Sequence, residues 1–383
     1  MITQIKFIGR DTFNNLSSVL SIKPDKVIFI YEKDTYSRKY IDNIYMACKI
    51  HISNLKYDAY DIASDNLDET YKFIEELTNS LDNCIIDLTD GSNIMIIAGY
   101  KVGVEKNIRL IYTDKVNNAI KNILSNEVIC NTEKIFLEDY LTANGACILG
   151  YSRDMPDENT LNSMYEMSKY IFRNISTWKE TCNYIQRSLY ENEGLHFRGS
   201  RKIVNHQQPI VPDVNLLKYS ENQGLIKKLK IGKHIEFSFT SYITKQYLST
   251  FGIWLELFVY MEAHKIKDAS EIKLGAMIDW IEDDGIDNIG NEIDVLLNMN
   301  SRPICISCKL TEPQISVVNE ILVNTKRMSG GMGKGVLVVF GDMDGPNHGV
   351  YKRAKELGIS VLDKNDIISN NFSERLLREI NSK

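Results

Sequence analysis

No apolar run in this chain approaches the roughly 20 residues that cross a bilayer, and residues 1–25 show no signal-peptide pattern. The expectation is a cytoplasmic protein that makes no use of a membrane. Cysteine is scarce: seven in 383 residues, an odd number scattered from Cys48 to Cys308. That argues against a disulfide framework and for reduced thiols. Cys305 and Cys308 form a lone Cys-x-x-Cys whose side chains point to opposite faces of a strand, so they read as buried structural thiols rather than a zinc site. Nor is there an excess of positive charge. A net charge of −6 excludes a surface coated for non-specific nucleic-acid binding, although a local patch and a bound metal can still govern contact with phosphate. The best patch is Lys227-Lys228-Leu229-Lys230-Ile231-Gly232-Lys233, which reads equally well as a solvated linker. Internal repeats and low-complexity segments are also missing. What remains is a soluble globular composition, 43% hydrophobic and 25% charged, long enough for two or three domains.

The first part alternates strands and helices. Val27–Tyr31 and Cys84–Leu88 are continuous apolar runs of the kind buried in a parallel sheet, with Asp58–Ile62 and Ile108–Tyr112 as further strands. An amphipathic stretch spans Ser37–Ile50, and Ser64-Asp65-Asn66 would cap a helix running to about Leu81. This alternation predicts a doubly wound α/β sheet, with ligands outside the carboxyl ends of its strands. Residues 135–235 are less regular: helices over Leu161–Phe172 and Ile175–Tyr190, then a loop-like Gly194–Val214, together a helical connector. From 236 the pattern predicts helix 247–264, strand 271–281, acidic loop 282–290 and a β-hairpin. Helix 314–328, strand Val336–Phe340, a helix near 349–357 and strand Ile359–Leu362 follow.

The hairpin carries the chemistry. Asn291–Leu297 and Ile304–Lys309 are apolar, β-branched strands bounded by Gly290, Asn300, Ser301 and Pro303. With the loop centred on Ser301-Arg302, Asp294 would lie directly across from Lys309. Glu256 adds a third charge within the apolar helical run Trp254–Tyr260. Charges set into apolar elements destabilise them unless they have a task, and phosphodiester hydrolysis is a task that fits. It needs charge stabilisation at the phosphoryl oxygens and an activated water, which carboxylate-held Mg2+ or Mn2+ supplies. Here Asp294 and Glu256 would hold metal, the Cys308 carbonyl would complete the shell, and Lys309 would face phosphate or orient water. Glu292, sharing a face with Asp294, and Glu320 on the next helix are accessory acids. The competing reading is a weak cross-strand salt bridge beside a helix-surface acid.

In the first part, Asp87-Leu88-Thr89-Asp90-Gly91-Ser92-Asn93-Ile94-Met95 follows a buried strand and opens a helix. Gly91 permits close backbone approach, while Ser92, Asn93 and the helix N-terminus offer donors to an anion. The same residues also make a good turn and cap with no ligand.

The order Glu256, Asp294, Lys309 resembles the PD-(D/E)xK nuclease superfamily, with Ser307-Cys308-Lys309 standing where the family has (D/E)xK. Gly252–Glu256, Asn291–Leu296, Ile306–Lys309, Asn319-Glu320 and Gly330-Gly331 together resemble CRISPR-associated ancillary nucleases that join such a domain to an N-terminal CARF domain. In that group the serine before Cys-Lys is common, and Glu320 becomes the candidate migrated acid. Residues 87–95 resemble the CARF signature Asp-x-Thr-Gly-Gly-Thr-Lys-x-Met, with Asp90, Ser92 and Asn93 replacing Gly, Thr and Lys. Asp11-Thr12-Phe13-Asn14-Asn15 matches the loop after the first CARF strand, and Tyr31–Tyr36, including Thr35, follows the second. Lys101 would replace the lost lysine charge.

The resemblance implies a Rossmann-like CARF domain over 1–134, the connector over 135–235 and a restriction-endonuclease-like α/β domain over 236–383. It implies a homodimer with cyclic tetra-adenylate across its two-fold axis as allosteric activator. Asp11, Thr12, Asn14, Asn15, Thr35, Thr89, Asp90, Gly91, Ser92, Asn93 and Met95 would line that ligand. The activity implied is a metal-dependent endonuclease of type III CRISPR defence, cutting single-stranded DNA or RNA and nicking duplex DNA. Two other readings fit less well. A CARF transcriptional regulator needs a basic recognition helix, and Asn370–Ile380 is mixed in charge. A HEPN-type ribonuclease needs Arg and His a few residues apart on a helix, whereas Arg187 and His196 are too distant and interrupted by Gly194.

Overall fold

The structure is a computed structural model that describes residues 1–63, 65–189, 194–205, 208–280, 290–343, 345 and 348–382. The acidic loop expected at 282–290 lies outside the described residues apart from Gly290, as do Ser64 and Tyr190.

Five parallel strands form the centre of the first lobe: β1 (Thr3–Phe7), β2 (Lys26–Glu32), β3 (Lys56–Ile62), β4 (Cys84–Asp87) and β5 (Arg109–Asp114). They run in the order β3-β2-β1-β4-β5, and antiparallel β6 (Ala119–Asn122) and β7 (Val128–Asn131) extend the edge. Helices α1 (Thr12–Ile22), α2 (Arg38–His51), α3 (Leu67–Asn79) and α4 (Asn93–Glu105) start at caps the sequence supplies. Asp11, Ser37, Asn66 and Ser92 each accept a first-turn N–H. Chain order reverses between β1 and β4, which places the switch point above the loops that follow them.

β1 is buried along its whole length, so Lys6 is buried too. It pairs with Asp87 of β4 at 2.7 Å, both side chains fully out of solvent, and Gln4 and Ser18 donate to the same carboxylate oxygen. Removing one partner of such a pair costs about 3–5 kcal/mol.

The middle region departs from a helical connector. It contains α5 (Leu137–Ala143), β8 (Cys147–Tyr151), α6 (Glu158–Arg173), α7 (Ile175–Ser188), β9 (His196–Ser200), β10 (Ile203–Asn205), β11 (Gln208–Ile210), α8 (Val214–Asn222), β12 (Ile226–Ile231) and β13 (His234–Phe239). The stretch read as loop-like at 194–214 holds β9, whose Phe197 and Gly199 point inward between exposed neighbours. That alternation is too short to stand out among Gly and Pro signals. The helix expected at 247–264 is two, α9 (Tyr242–Leu248) and α10 (Ile253–Ala263), broken between Ser249 and Gly252.

β14 (Ala269–Asp279), β15 (Gly290–Met299), β16 (Arg302–Lys309), α11 (Ile315–Ser329), β17 (Lys334–Val339), α12 (His348–Glu356), β18 (Ser360–Leu362), α13 (Lys364–Ile368) and α14 (Phe372–Asn381) complete the chain. The second sheet runs β18-β17-β16-β15-β14-β8, so the middle region donates an edge strand to it. A single core cluster runs from Met164 on α6 to Ile380 on α14, joining that region to the C-terminal sheet. A second cluster packs α1, α2 and α5 against Ala276, Ile293, Leu296 and Met328, so the two lobes also share a core. No helix among the described residues is long and apolar enough to cross a membrane.

Candidate active site and ligand cleft

The β15–β16 hairpin turns at Asn300-Ser301, both with positive φ (52° and 62°), which makes a tight two-residue loop. The register follows: Met299 faces Arg302 and Val295 faces Ile306. One place further on, Asp294 stands opposite Ser307 rather than Lys309. The register differs from the expected one by two residues, because the turn centres on Asn300-Ser301 rather than on Ser301-Arg302, and moving the centre by one residue moves every pairing by two. A slip of two preserves the face, and Lys309 still reaches Asp294 diagonally.

Three donors converge on Asp294 Oδ2: Ser307 Oγ at 3.1 Å, the Cys308 main-chain N–H at 2.6 Å and Lys309 Nζ at 3.0 Å. Burial alone would lower the Lys309 ammonium, but Asp294, with Cys308 and Glu256, outweighs it and holds the group above its ordinary value. Burial, with Asp294 and Glu256 adding to it, pushes the Cys308 thiol well up. Cys308 therefore stays a thiol and offers its carbonyl alone. The Lys309 carbonyl accepts from Phe340 on the β17 side. By strand alternation the Cys308 carbonyl faces the β15 side, as its N–H does.

Glu256 lies in the first turn of α10, where the helix dipole favours an acid. It is buried, and Oε2 finds no hydrogen-bond partner among the described residues. Burial foremost, then the Asp294 charge, raises its carboxyl well above the ordinary carboxylate range. Arg153, absent from the sequence reading, stands 3.5 Å from both Glu256 Oε2 and Glu292 Oε1. It lies two residues past β8 in a polar stretch, so only the pairing of β8 with β14 reveals it.

Glu292, Asp294, Ser307, Lys309, Glu320 and Asn324 line a cleft of about 30 Å3, room for one ion or water. Glu320 thus faces Asp294 across the cleft, while Glu256 approaches from outside that lining. Among the described residues no three His, Cys, Asp or Glu converge at metal-holding spacing. The donor chemistry nevertheless fits a hard divalent cation: a buried carboxylate oxygen that accepts no hydrogen bond among the described residues, a second carboxylate beside it and an adjacent carbonyl.

In the first lobe the expected ligand residues gather at the switch point but divide in role. Asp11 caps α1 through Phe13 N and pairs with Lys115 Nζ at 2.8 Å. Asn14 Nδ2 donates to Asp90 Oδ2 at 3.0 Å, and Asn14 Oδ1, buried, has no partner among the described residues. Gly91 adopts φ +119°, and a Cβ there would sit 2.7 Å from Phe7 Cβ, so glycine is required. Asn93 is exposed at the start of α4, and Ser92 spends its hydroxyl capping Met95 N at 3.3 Å.

The remaining residues are tied into the surrounding structure. Asn15 clamps Gly9 through both its N–H and C=O, at 3.0 and 2.9 Å. Thr89 is tied to Asp87 and Thr113, Met95 is core, and buried Thr12 accepts from Asn144 at 3.3 Å. Thr35 bonds Glu32 at 2.9 Å on the exposed rim. Lys101 does not supply the missing charge: it lies over the Tyr71 ring at 4.3 Å, two helical turns from Asn93. The positive charges at the cleft are instead Lys115, paired with Asp11, and Arg10, close enough to act on Tyr36. Burial foremost, with Tyr40 and Asp90, pushes the Tyr36 phenol up to about 12, and the two tyrosine rings stack at 5.4 Å.

No family model matches the chain, and no curated protein matches it in sequence. Solved structures do. Protein VC1899 from Vibrio cholerae overlays at TM-score 0.78 with 16% identity, over 99% of this chain and 98% of that one. Can2 from Sulfobacillus thermosulfidooxidans, solved in complex with cyclic tetra-adenylate, overlays at 0.73 with 18% identity over 100% of both chains. A type III CRISPR defence DNA nuclease activated by cyclic oligoadenylate overlays at 0.54 with 12% identity, over 99% of this chain and 52% of that one. The chain therefore shares the overall fold of these structures: a doubly wound, mainly parallel α/β lobe joined to a second, mixed α/β lobe.

Proposed function

We propose that this protein is a cyclic oligoadenylate-activated, metal-dependent endonuclease of type III CRISPR defence. Its expected substrates are single-stranded DNA or RNA, with nicking of duplex DNA. The observation that carries the reading is the set of three donors, one of them Lys309, gathered on Asp294 beside the buried Glu256 carboxylate, whose Oε2 has Arg153 3.5 Å away but accepts no hydrogen bond among the described residues. A structural salt bridge needs no second buried acid.

Asp294, Glu256 and the Cys308 carbonyl would hold Mg2+ or Mn2+, with Glu320 and Glu292 as accessory acids. When bound, the ion supplies Lewis-acid stabilisation of the phosphoryl oxygens and a more acidic water. Lys309 places a positive charge where phosphate charge develops, and Asp294 fixes its direction. Arg153 neutralises the Glu256–Glu292 pair and can meet a second phosphate oxygen bidentately.

The activator would lie across the switch-point loops of two copies related by a two-fold axis. The unpartnered Asn14 Oδ1 accepts a hydrogen bond from such a ligand, for instance from an adenine amino group. A direct contact supports gating. Gly330, at the end of α11, lies against the Arg10–Asp11 loop so closely that a Cβ there would be 3.0 Å from Asp11 Cα. The same helix carries Glu320 and Asn324 into the active cleft. Ligand-induced movement of that loop therefore pushes on a cleft wall, provided the ligand prefers the shifted arrangement.

The test is metal removal. With activator present, EDTA should abolish cleavage and excess Mn2+ should restore it in the wild type but not in Asp294→Ala. Cleavage that persists in EDTA would overturn the metal site. The regulator reading gains nothing from α14, which sinks Phe372, Leu376 and Ile380 into the core and shows mixed charge outward.

A further inference from the structure

The basic stretch 227–233, a solvated linker on one reading, is a strand and the turn after it. β12 pairs with β13, and β13 pairs with β9, forming a three-stranded sheet. Its inner face is apolar: Phe197, Ile226, Ile235, Phe237 and Phe239 are buried in the main core, with Phe197 and Phe237 stacked at 4.4 Å. Its outer face is cationic.

In a regular strand, Lys227, Lys228 and Lys230 could not all face solvent, because alternation would send one of them into the core. The register shift between Lys227 and Lys230 solves this: Lys227 faces Ser238 and Lys230 faces Glu236, leaving two residues opposite one. Lys228 sits in the left-handed region at φ 59°, where Gly or Asn would be less strained. The result is three exposed lysines, with Leu229 turned inward against the core. Lys233, Arg201 and Lys202 continue the exposed positive strip at the hairpin end, and Arg198 adds to it across the sheet. Among the described residues Glu236 is the one acid on the face, 3.0 Å from Arg198. Lys227, Lys228, Lys230 and Lys233 have no ion-pair partner among the described residues. Keeping this many positive charges together opposes stability, in a chain whose net charge is −6.

The sheet is attached to the catalytic helix. α9 follows β13 directly, Lys245 on α9 holds the Gly194 carbonyl at the start of β9 at 2.6 Å, and Tyr247 packs edge-on at 5.8 Å against Trp254, two residues before Glu256 on α10. Tyr242, 69% exposed where the chain leaves β13, offers an aromatic surface beside the charges.

We propose that the outer face of the β9–β13–β12 sheet is a platform that grips the sugar-phosphate backbone of a single-stranded nucleic acid. The lysines neutralise phosphates and Tyr242 stacks on a base. The identification of that strand as the substrate rests on the nuclease reading; binding itself does not.

The full chain would be titrated in EDTA, where no metal-dependent cutting occurs, against a fluorescein-labelled single-stranded oligodeoxynucleotide and its RNA counterpart at several salt concentrations. In the Lys227→Gln/Lys228→Gln/Lys230→Gln variant, affinity should fall about ten- to a hundredfold near 0.1 M salt. The salt slope should shrink by about two. Lys228→Gly, which relieves the positive φ and keeps the fold, should lose roughly a third of that slope change. Lys352→Gln/Lys355→Gln, on exposed α12, should bind as the wild type does. Unchanged affinity and slope in the triple variant would overturn the platform. So would tighter binding of phosphatidylserine vesicles than of either strand, lost with the same lysines, which would assign the face to a membrane. Wild-type cleavage kinetics in a triple variant that binds normally would sink the platform and leave the nuclease reading standing. A chain that cleaves nothing yet loses strand binding with the lysines would do the reverse.

Discussion

At the scale of single residues, half of the candidate site was legible. Glu256, Asp294 and Lys309 stood out because each is a charge inside an apolar element, and burial of a charge without a partner is costly. Arg153 gave no such signal. It sits in an ordinary polar stretch, and its place beside Glu256 and Glu292 depends on β8 joining a sheet built over one hundred residues later. In the N-terminal cleft the signature-like residues were legible as a group, but not the bonds that Asn15 and Thr89 make within the loops or the burial of Met95. Two substitutions separate these roles. Lys309→Ala removes the charge proposed to face phosphate and should lower kcat on the order of a hundred- to a thousandfold, with the melting temperature nearly unchanged. Retained cleavage in that variant would remove Lys309 from the site. Arg153→Ala leaves Glu256 and Glu292 without their shared cation, so apparent affinity for Mn2+ should rise even as kcat falls. A Mn2+ titration that does not move would show that Arg153 does not touch the metal-holding acids.

At the scale of elements, long periodic helices and buried parallel strands were readable because burial repeats along them. Short strands were not: β8 and β9 are five residues each, and their inner positions matter only once partner strands are placed. The hairpin was recognised but its register was not, since a positive φ at Asn300 and Ser301 sets the turn and neither residue is glycine. The element with most at stake is α11, which touches the Arg10–Asp11 loop at one end and lines the candidate cleft with Glu320 and Asn324 further along. Gly330 there has φ 72° and ψ −103°, a conformation that glycine alone adopts comfortably. Gly330→Ala should cost about 1–3 kcal/mol, read as a lower melting temperature. It should also cut the stimulation of cleavage by activator several-fold, within the range of ordinary allosteric coupling. Full stimulation in that variant would mean the lobes communicate by another route.

At the scale of the whole molecule, the two lobes are not beads on a string. Residues of α1, α2 and α5 share a core with the C-terminal sheet, and the middle region is divided between that sheet and its own basic one. A division at 134 and 235 follows changes in sequence pattern, whereas cores form across them. This continuity supports the proposed logic, because a ligand can bias a distant site only through elements packed against both. The most direct measurement incubates purified protein with Mn2+ or Mg2+ and labelled single-stranded DNA, single-stranded RNA or supercoiled plasmid. Each is run with and without cyclic tetra-adenylate, alongside Asp294→Ala. The expected result is cleavage that needs both metal and activator and disappears in Asp294→Ala. Activator-independent cleavage of equal rate, cleavage by Asp294→Ala, or no cleavage of any substrate would contradict a gated nuclease built on this site.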